Sequence, residues 1–398
     1  MEIHYKSRPW NFKKLLYKAM VMLVCGAVFA FTVVAVFYML RRPLRKAMGI
    51  DDDNRIVFQV AGTEAGEESG ETATVREAST VENAEASSDY YEAGVKANRF
   101  LVGVNEVSTE GYGGKRSYSD YGYGIIIGKT KKTVVVLSTP NAVRGMNATQ
   151  VTFFNGQTVR GNVSATDTET GISIIRVELK RLDKDTLRGL EVAKLGKSYA
   201  LKRGNYAAAI GNPLGDVRSI VVGQFTSVGG KTRLTDREYS LLETNILGKR
   251  HTAGFLVDKS STVIGVITHR EDEDGENYTI KALGISDLSV LTDALCNGKE
   301  RPFIGLQIST ISTETARAYE IPKGVYVEYV YLRSPAVEAG IQKGDILVSI
   351  GKREIRSAKY FAETLDQLKP GTTVKVQFMR YTKGKYKRMS ADVVIAKR

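Results

Sequence analysis

Short runs of β-branched and aromatic residues recur along the chain beyond residue 95, separated by glycine, asparagine and aspartate. Runs of this length and spacing are typical of strands in an all-β sandwich or a pair of barrels. The pattern therefore predicts a mainly β fold for the central part of the chain. The predicted strands are residues 123–127, 133–137, 150–154, 172–177, 206–210, 220–222 and 263–268.

A helix is predicted after these strands, at residues 286–296. Ser286 is the expected N-cap, and Gly298 stands just past the expected end. One face of this helix is apolar, which indicates that it packs against the strands and closes the domain. That face carries Leu288, Leu291 and Leu295.

An uncharged apolar segment lies near the amino terminus, at residues 19–40. At about 1.5 Å per residue, a helix of this length covers the roughly 30 Å hydrocarbon core of a bilayer. Four basic residues follow between positions 41 and 46, where a cleavable signal peptide would carry a cleavage site instead. The segment is therefore predicted to be an uncleaved transmembrane anchor.

Residues 41–94 are predicted to be an acidic, flexible stalk. Residues 51–90 contain two basic and eleven acidic residues and few large apolar side chains. A segment of this composition has too little apolar surface to bury to form a packed core.

The body of the chain is basic, because the full chain carries +13 and residues 91–398 carry +14. No zinc-finger, basic-zipper or RNA-binding signature accompanies this charge, so nucleic acid is not an expected partner. Adhesion to an anionic cell-wall polymer or to lipid headgroups remains an open interpretation. Cys25, inside the apolar segment, and Cys296, on the predicted helix, are the two cysteines, and we expect no disulfide, metal site or cofactor.

Four strings in the β region occur in a recognisable order. Residues 121–128 read YGYGIIIG, residues 170–177 read TGISIIRV, and residues 207–230 begin AAAIGNPLG. Residues 252–266, TAGFLVDKSSTVIGV, complete the series. These strings resemble the HtrA-type (DegP/DegS-like) trypsin-like serine proteases. The resemblance implies a chymotrypsin-like double β-barrel at residues 95–298.

Residues 299–398 resemble the PDZ domain that follows the barrels in that family. The carrying strings are FIGL at 303–306, SPAVEAGIQKGDILVSIG at 334–351 and the segment 357–380. The resemblance implies an α+β domain in which a short turn presents backbone N–H groups to a peptide carboxylate while the peptide adds as a strand. The implied turn residues are Ile304, Gly305 and Leu306, the implied pairing residues include Gln307 and Ile308, and Tyr360 and Thr364 are candidates for the helical wall.

The three positions of the family's catalytic triad are all changed in this sequence. Asn141 stands at the histidine position, Gly171 at the aspartate position and Thr252 at the serine position. Arg250 and His251 occupy the turn that would form the oxyanion hole. A triad needs an imidazole to accept the nucleophile's proton and a carboxylate to orient that imidazole, and neither Asn141 nor Gly171 can supply these groups. The sequence therefore predicts an inactive protease fold.

An active peptidase remains the alternative prediction, using Thr252 or a non-standard site. The chain contains three histidines, and none lies between His4 and His251, so the first barrel has no imidazole. His251 adjoins Thr252, but neighbouring residues of an extended strand point to opposite faces. This arrangement counts against His251 as a general base for Thr252.

The resemblance also implies where the protein works and with what. Residues 1–18 are expected in the cytoplasm, and the protease-like and PDZ domains outside it. The expected partners are exposed peptide C-termini or unfolded protein segments, the membrane through residues 19–40, and two further copies in a homo-trimer. We expect a role in envelope protein quality control, scaffolding or signalling.

Overall fold

The β-rich pattern folds into two barrels followed by a smaller mixed domain. The computed structural model describes residues 80–106, 122–140, 142–143, 145–216, 218–249, 252–268 and 277–398. These residues belong to one compact unit, Ile56–Arg398. The predicted anchor at residues 19–40 lies outside them, and no helix within the described ranges is long and apolar enough to cross a bilayer.

The first barrel is closed by six of the described strands, each antiparallel to its neighbours. Their order around the barrel is 1-2-3-6-5-4. Runs of valine and isoleucine fill its interior, and the third strand buries every residue after its first. The strands are β1 (Leu101–Glu106), β2 (Gly122–Lys129), β3 (Thr133–Ser138), β4 (Ala148–Thr152), β5 (Thr158–Thr166) and β6 (Ser173–Glu178).

The second barrel is closed in the described residues by six further strands in the order 10-11-12-9-8-7. Two of its strands are long, and their distal ends pair with each other as a two-stranded arm with a tight turn at residues 235–236. The predicted pair of barrels is thus confirmed. The strands are β7 (Tyr206–Gly211), β8 (Ser219–Leu234), β9 (Arg237–Lys249), β10 (Gly254–Val257), β11 (Val263–Thr268) and β12 (Asn277–Gly284).

The prediction of a flexible stalk is wrong for residues 80–94. A helix, α1 (Thr80–Ala97), occupies them and packs on the second barrel, with Ala93 and Ala97 fully buried. A Cβ on Gly94 would lie 2.6 Å from Ile220 Cγ2, so the helix and barrel approach each other closely. Ala93, Gly94 and Ala97 supply much of this contact together with Tyr90, whose ring lies 5.8 Å from that of Tyr206. A composition poor in large apolar residues does not reveal it.

The helix after the barrels begins later than predicted. A short 3₁₀ turn covers Ile285–Leu288, and α3 (Ser289–Asn297) follows it, while α2 (Lys184–Gly189) lies earlier, between the barrels. Ser286 does not cap the helix, because its hydroxyl accepts a hydrogen bond from the Ser198 N–H at 2.9 Å. The predicted end is confirmed, since Gly298 adopts the left-handed conformation with φ of 60°.

The C-terminal domain packs helices against an antiparallel sheet in the order 14-15-16-18-19. Its core is separate from that of the barrels and includes Leu306, Val327, Phe361 and Phe378. The helices are α4 (Thr313–Ala318), α5 (Pro335–Glu338) and α6 (Ala358–Leu365). The strands are β13 (Pro302–Phe303), β14 (Leu306–Thr310), β15 (Val325–Val330), β16 (Ile346–Ile350), β17 (Arg353–Glu354), β18 (Thr373–Thr382), β19 (Lys385–Val394) and β20 (Ala396–Lys397).

A buried ion pair joins two parts of this domain. Asp345, immediately before β16, is 1% exposed. Its carboxylate accepts hydrogen bonds from Arg380 Nε and a terminal Arg380 nitrogen, both at 2.7 Å, and from the Gln342 N–H at 2.9 Å. The bidentate geometry pins the turn before β16 to the end of β18.

We expect Asp345→Asn to lower the local unfolding free energy of the C-terminal domain by about 2–4 kcal/mol, because it leaves the Arg380 charge without its buried partner. Amide hydrogen exchange of β16 and β18 in the full chain measures this quantity. Asp392→Asn, at an exposed position of β19, is the matched control and should have little effect. Equal exchange in the two variants would contradict a structural role for the pair.

Candidate functional site

Thr252, the residue at the predicted nucleophile position, lies just before β10 and is buried. Its hydroxyl is within hydrogen-bond distance of two backbone carbonyl oxygens, those of Lys249 at 2.5 Å and Pro213 at 3.1 Å. The Thr252 N–H also donates to the Lys249 carbonyl oxygen, at 3.1 Å. A hydroxyl has one proton, and here that proton is directed at a carbonyl rather than at a base. The arrangement closes a turn and does not prepare a nucleophile.

The backbone around Thr252 is held by a residue that sequence analysis did not single out. Asn212 follows β7 and is buried, and its side-chain oxygen accepts the Ala253 N–H at 2.6 Å. Its backbone N–H donates to the Ala253 carbonyl at 3.0 Å. On the next residue, Gly254, a Cβ would stand 1.9 Å from the Ile210 carbonyl oxygen. The segment is thus fixed against β7 by backbone contacts that leave no room for a side chain at residue 254.

Gly171, at the predicted aspartate position, lies in a tight turn between β5 and β6. Its φ is +69°, a conformation that residues with a Cβ rarely adopt. Its N–H donates to the Asp167 carbonyl oxygen at 2.9 Å. The turn therefore supplies no carboxylate at this position.

Asp167 is a buried carboxylate four residues before Gly171, but its oxygens are already occupied. They accept hydrogen bonds from the Thr170 N–H at 2.9 Å and the Thr170 hydroxyl at 2.8 Å, and one oxygen pairs with Arg301. Burial alone would raise the pKa of Asp167, but the Arg301 charge and the two Thr170 hydrogen bonds lower it overall. Asp167 ties the first barrel to the start of the C-terminal domain and is not free to orient an imidazole.

The other residues of the predicted catalytic region lie outside the described residues. They are Asn141, Arg250 and His251, and the changes they represent remain predictions from the sequence. Within the ranges that the structure covers, no group of three or more histidine, cysteine, aspartate or glutamate side chains is arranged to hold a metal ion.

The predicted carboxylate turn of the C-terminal domain holds a carboxylate from the chain itself. The N–H groups of Ile304 and Leu306 donate to different oxygens of Asp236, each at 2.8 Å. The N–H of Gly305 is 3.0 and 2.9 Å from the two oxygens. Gly305 has a φ of +92°, and a Cβ there would stand 2.2 Å from Ser334 Cβ, so the turn needs glycine. Three convergent N–H groups of this kind form an anion-binding concavity.

Asp236 belongs to the tight turn between β8 and β9. It is 4% exposed and has a φ of +60°, which aspartate tolerates better than most residues. Its own N–H donates to the Leu306 carbonyl oxygen at 2.6 Å, and Thr235 pairs antiparallel with Gln307. The tip of the β8–β9 arm therefore lies against the edge of β14, joined to it by one antiparallel bridge and this hydrogen bond.

Further contacts hold the arm in this position. Arg237 forms an ion pair with Asp366, which follows α6, and both side chains are largely buried. The Thr310 hydroxyl on β14 is 3.3 Å from the Glu238 carboxylate. The arm thus touches both walls of the groove between β14 and α6. Sequence analysis missed Asp236, Arg237 and Asp366, because an aspartate in a turn between strands is typical of turns in general.

The other predicted peptide-binding residues have mixed placements. Ile308 is fully buried in the core of the C-terminal domain, whereas Tyr360 on α6 is 57% exposed. Thr364 is buried, and its hydroxyl donates to the Tyr360 carbonyl oxygen at 2.7 Å within the helix. The structure therefore brings Ile304 to Gln307 together around the arm, and it does not direct the Thr364 hydroxyl into the groove.

Burial raises the pKa of Asp236 to about 6, although the hydrogen bonds from Gly305, Ile304 and Leu306 oppose the shift. The negative charge of Glu169 raises it further. Glu169 accepts a hydrogen bond from the Thr235 N–H at 3.2 Å and pairs with Arg398 at 3.0 Å. The next residue of the arm after Asp236 is the positively charged Arg237. The carboxylate is thus held where its ionised form is costly and its hydrogen-bond donors are good.

Comparisons with known proteins agree with this architecture. The family model described as "Trypsin-like peptidase domain" matches residues 122–266, and that described as "PDZ domain" matches residues 302–393. Serine protease Do-like HtrB of Bacillus subtilis (strain 168) is 30% identical over 290 residues, which are 68% of this chain and 61% of HtrB. Putative serine protease HhoB of Synechocystis sp. (strain ATCC 27184 / PCC 6803 / Kazusa) is 27% identical over 62% of this chain and 60% of its own length.

A solved structure shows the same fold. The HtrA-type protease AlgW with tripeptide superposes with a TM-score of 0.57 at 20% identity, over 78% of this chain and 97% of that chain. The chain spans about three fifths of the length of the two curated relatives named above.

We expect Thr252→Val to lower the local unfolding free energy around β10 by about 1 kcal/mol, because the Lys249 and Pro213 carbonyls lose the hydroxyl contact but keep their N–H donors. Amide hydrogen exchange of residues 253–257 measures the change. Thr226→Val, at an exposed position of β8 in the same barrel, serves as the control. An unchanged exchange rate in Thr252→Val would show that the hydroxyl has no structural role.

The raised pKa of Asp236 predicts how docking of the arm depends on pH. A docked Asp236 holds its proton up to about pH 6, whereas a carboxyl at the ordinary value of 3.8 releases it earlier. Docking is therefore expected to weaken as the pH rises from about 4 to about 6 and to level off above that. Carbon-13 NMR of the Asp236 carboxyl should titrate near 6, and Asp236→Asn, which removes the signal, confirms its assignment. A midpoint at or below 3.8 would mean that the three N–H donors outweigh burial.

Proposed function

Since the chain belongs to the HtrA-type family of trypsin-like proteins with a C-terminal PDZ domain, we propose that it binds polypeptides without cleaving them. Its PDZ domain would recognise exposed peptide C-termini or unfolded segments. Its protease fold would serve as a structural platform for that binding. The named relatives are serine proteases, and the proposal departs from them in the chemistry of the site.

The observation that carries the proposal is the hydrogen bonding of the Thr252 hydroxyl. That hydroxyl is directed at the carbonyl oxygens of Lys249 and Pro213, and Gly171 offers no carboxylate. The sequence adds that no histidine occurs between His4 and His251, so the first barrel has no residue to act as the base. In a serine protease, loss of the triad lowers turnover by about 10⁶-fold, and the remainder depends on an intact oxyanion hole.

Peptide binding is supported by the turn at Ile304, Gly305 and Leu306. Its three N–H groups converge on a carboxylate at 2.8–3.0 Å, which is the chemistry needed to hold the end of a peptide. The edge of β14 beside it accepts an antiparallel strand, as its pairing with Thr235 illustrates. The same turn and edge strand would therefore bind an external peptide.

The proposal extends to location and assembly. Residues 19–40 would anchor the protein in a membrane with residues 1–18 in the cytoplasm, and the two folded domains would work outside it. A homo-trimer would cluster three PDZ domains and raise the apparent affinity for multivalent or unfolded ligands through effective concentration. Such a protein would serve in envelope protein quality control, scaffolding or signalling.

The proposal predicts that the full chain, purified in detergent, does not cleave an unfolded protein such as reduced casein. Thr252→Ala should behave identically, because residue 252 contributes no chemistry, and a fluorophosphonate probe should label neither protein. Mass spectrometry of the products measures cleavage, and thermal unfolding verifies that both proteins are folded.

Two results would separate the alternatives. Cleavage by the parent but not by Thr252→Ala would make Thr252 a working nucleophile and the chain an active endopeptidase. Equal cleavage by both would indicate either a contaminating protease or a site elsewhere in the chain, and an inhibitor profile together with repurification would distinguish these.

A further inference from the structure

The carboxylate of Asp236 occupies the position that a bound peptide's terminal carboxylate would take. It accepts all three N–H groups of the turn formed by Ile304, Gly305 and Leu306. It is almost completely buried there, so the turn is closed to solvent. A second carboxylate cannot use the same donors at the same time.

The backbone beside Asp236 follows the path of a peptide as well. The Asp236 N–H donates to the Leu306 carbonyl oxygen at 2.6 Å, and Thr235 pairs antiparallel with Gln307. Residues 235–236 therefore use the backbone groups of β14 through which an added strand would bind. The arm therefore overlaps the expected peptide position both at the carboxylate turn and at the edge of β14.

The tip of the arm that carries Asp236 extends past the ladders that close the second barrel. The distal ends of β8 and β9 pair with each other from Gly230 opposite Leu241 to Leu234 opposite Arg237. β7 pairs with β8 only from Ser219 to Gln224, and β12 pairs with β9 only up to Leu241. The tip is thus a two-stranded projection with its own ladder of hydrogen bonds. Tyr239 at its base packs in the core of the barrels, so displacement from β14 is confined to the tip.

We propose that Asp236 is an internal ligand of the PDZ domain, so that an external peptide binds only after the β8–β9 arm has left the groove. The ligand class is a peptide with a free carboxyl terminus that pairs antiparallel with β14. Arg237, through its ion pair with Asp366, acts as a second contact that holds the closed state. This inference rests on the proposed function, because it concerns the same peptide-binding site.

Because the arm occupies the groove, the apparent affinity for a peptide is the intrinsic affinity multiplied by the fraction of molecules in which the arm is displaced. Removing the carboxylate of Asp236 raises that fraction. Asp236→Gly keeps the backbone conformation at φ of +60° accessible and removes the internal ligand. Asp236→Asn keeps the side-chain volume but replaces one accepting oxygen with an NH₂ group, which cannot accept a turn N–H. Asp216→Gly, at an exposed turn of the same barrel, is the matched control.

The test uses the full chain in detergent and an array of heptapeptides of varied sequence with free carboxyl termini, beside the same peptides amidated. We expect Asp236→Gly to bind the carboxyl-terminated peptides about tenfold or more tightly than the parent, Asp236→Asn to bind them several-fold more tightly, and Asp216→Gly to match the parent. Amide hydrogen exchange at residues 304–306 should accelerate in both Asp236 variants. Thermal unfolding verifies that each variant is folded.

The possible outcomes distinguish failure of the internal-ligand inference from failure of the proposed peptide-binding function. Equal peptide affinity in the parent and in both Asp236 variants would overturn the internal-ligand inference and leave peptide binding intact. Absence of binding to any peptide by every variant would overturn the proposed function, and the inference with it. Tighter binding of amidated and carboxyl-terminated peptides alike would show that Asp236 does not compete for the carboxylate site.

Discussion

The contact between Asp236 and the three N–H groups of residues 304–306 joins the second barrel to the C-terminal domain and determines what the groove can accept. A buried carboxylate loses much of its hydration, and only several good donors offset that loss. Here the offset comes from backbone groups whose direction depends on Gly305 and its close approach to Ser334. Two further pairs join the domains on the side of the first barrel, Asp167 with Arg301 and Glu169 with Arg398. The C-terminal domain is thus joined to both barrels by a few ion pairs and by the buried carboxylate of Asp236.

The sequence predicted the local chemistry of the fold well and its long-range contacts poorly. The β-branched runs indicate the strands of the barrels, because strand formation depends on neighbouring residues. The PDZ domain and its carboxylate turn at Gly305 were recognised from the resemblance of their strings to a family. Asp236 could not be recognised in the same way, since its partners lie almost seventy positions away and its identity suits any turn. The docked helix α1 was missed for a related reason. Its contact uses Ala93 and Ala97, whose small size matters only beside a particular surface.

The region around Thr252 has the geometry of a structural turn. A nucleophile must be exposed and must direct its proton towards a base. Thr252 is buried and directs it at a carbonyl, and Asn212 and Gly254 hold the same segment tightly against β7. Gly171 closes a separate turn, in which its N–H donates to the Asp167 carbonyl oxygen. The barrels are well packed, and the segment around Thr252 is held by backbone hydrogen bonds and close contacts with β7.

β9 connects these two regions directly. It begins at Arg237, beside the residue held in the PDZ groove, and ends at Lys249, whose carbonyl oxygen accepts hydrogen bonds from Thr252. At about 3.3 Å per residue, such a strand is roughly 40 Å long. It lies between β8 and β12, so a pull on its tip along its length loads both hydrogen-bond ladders in shear, with many bonds sharing the force at once. The strand therefore links the contact in the PDZ groove to the turn that holds Thr252, with little elongation of its own.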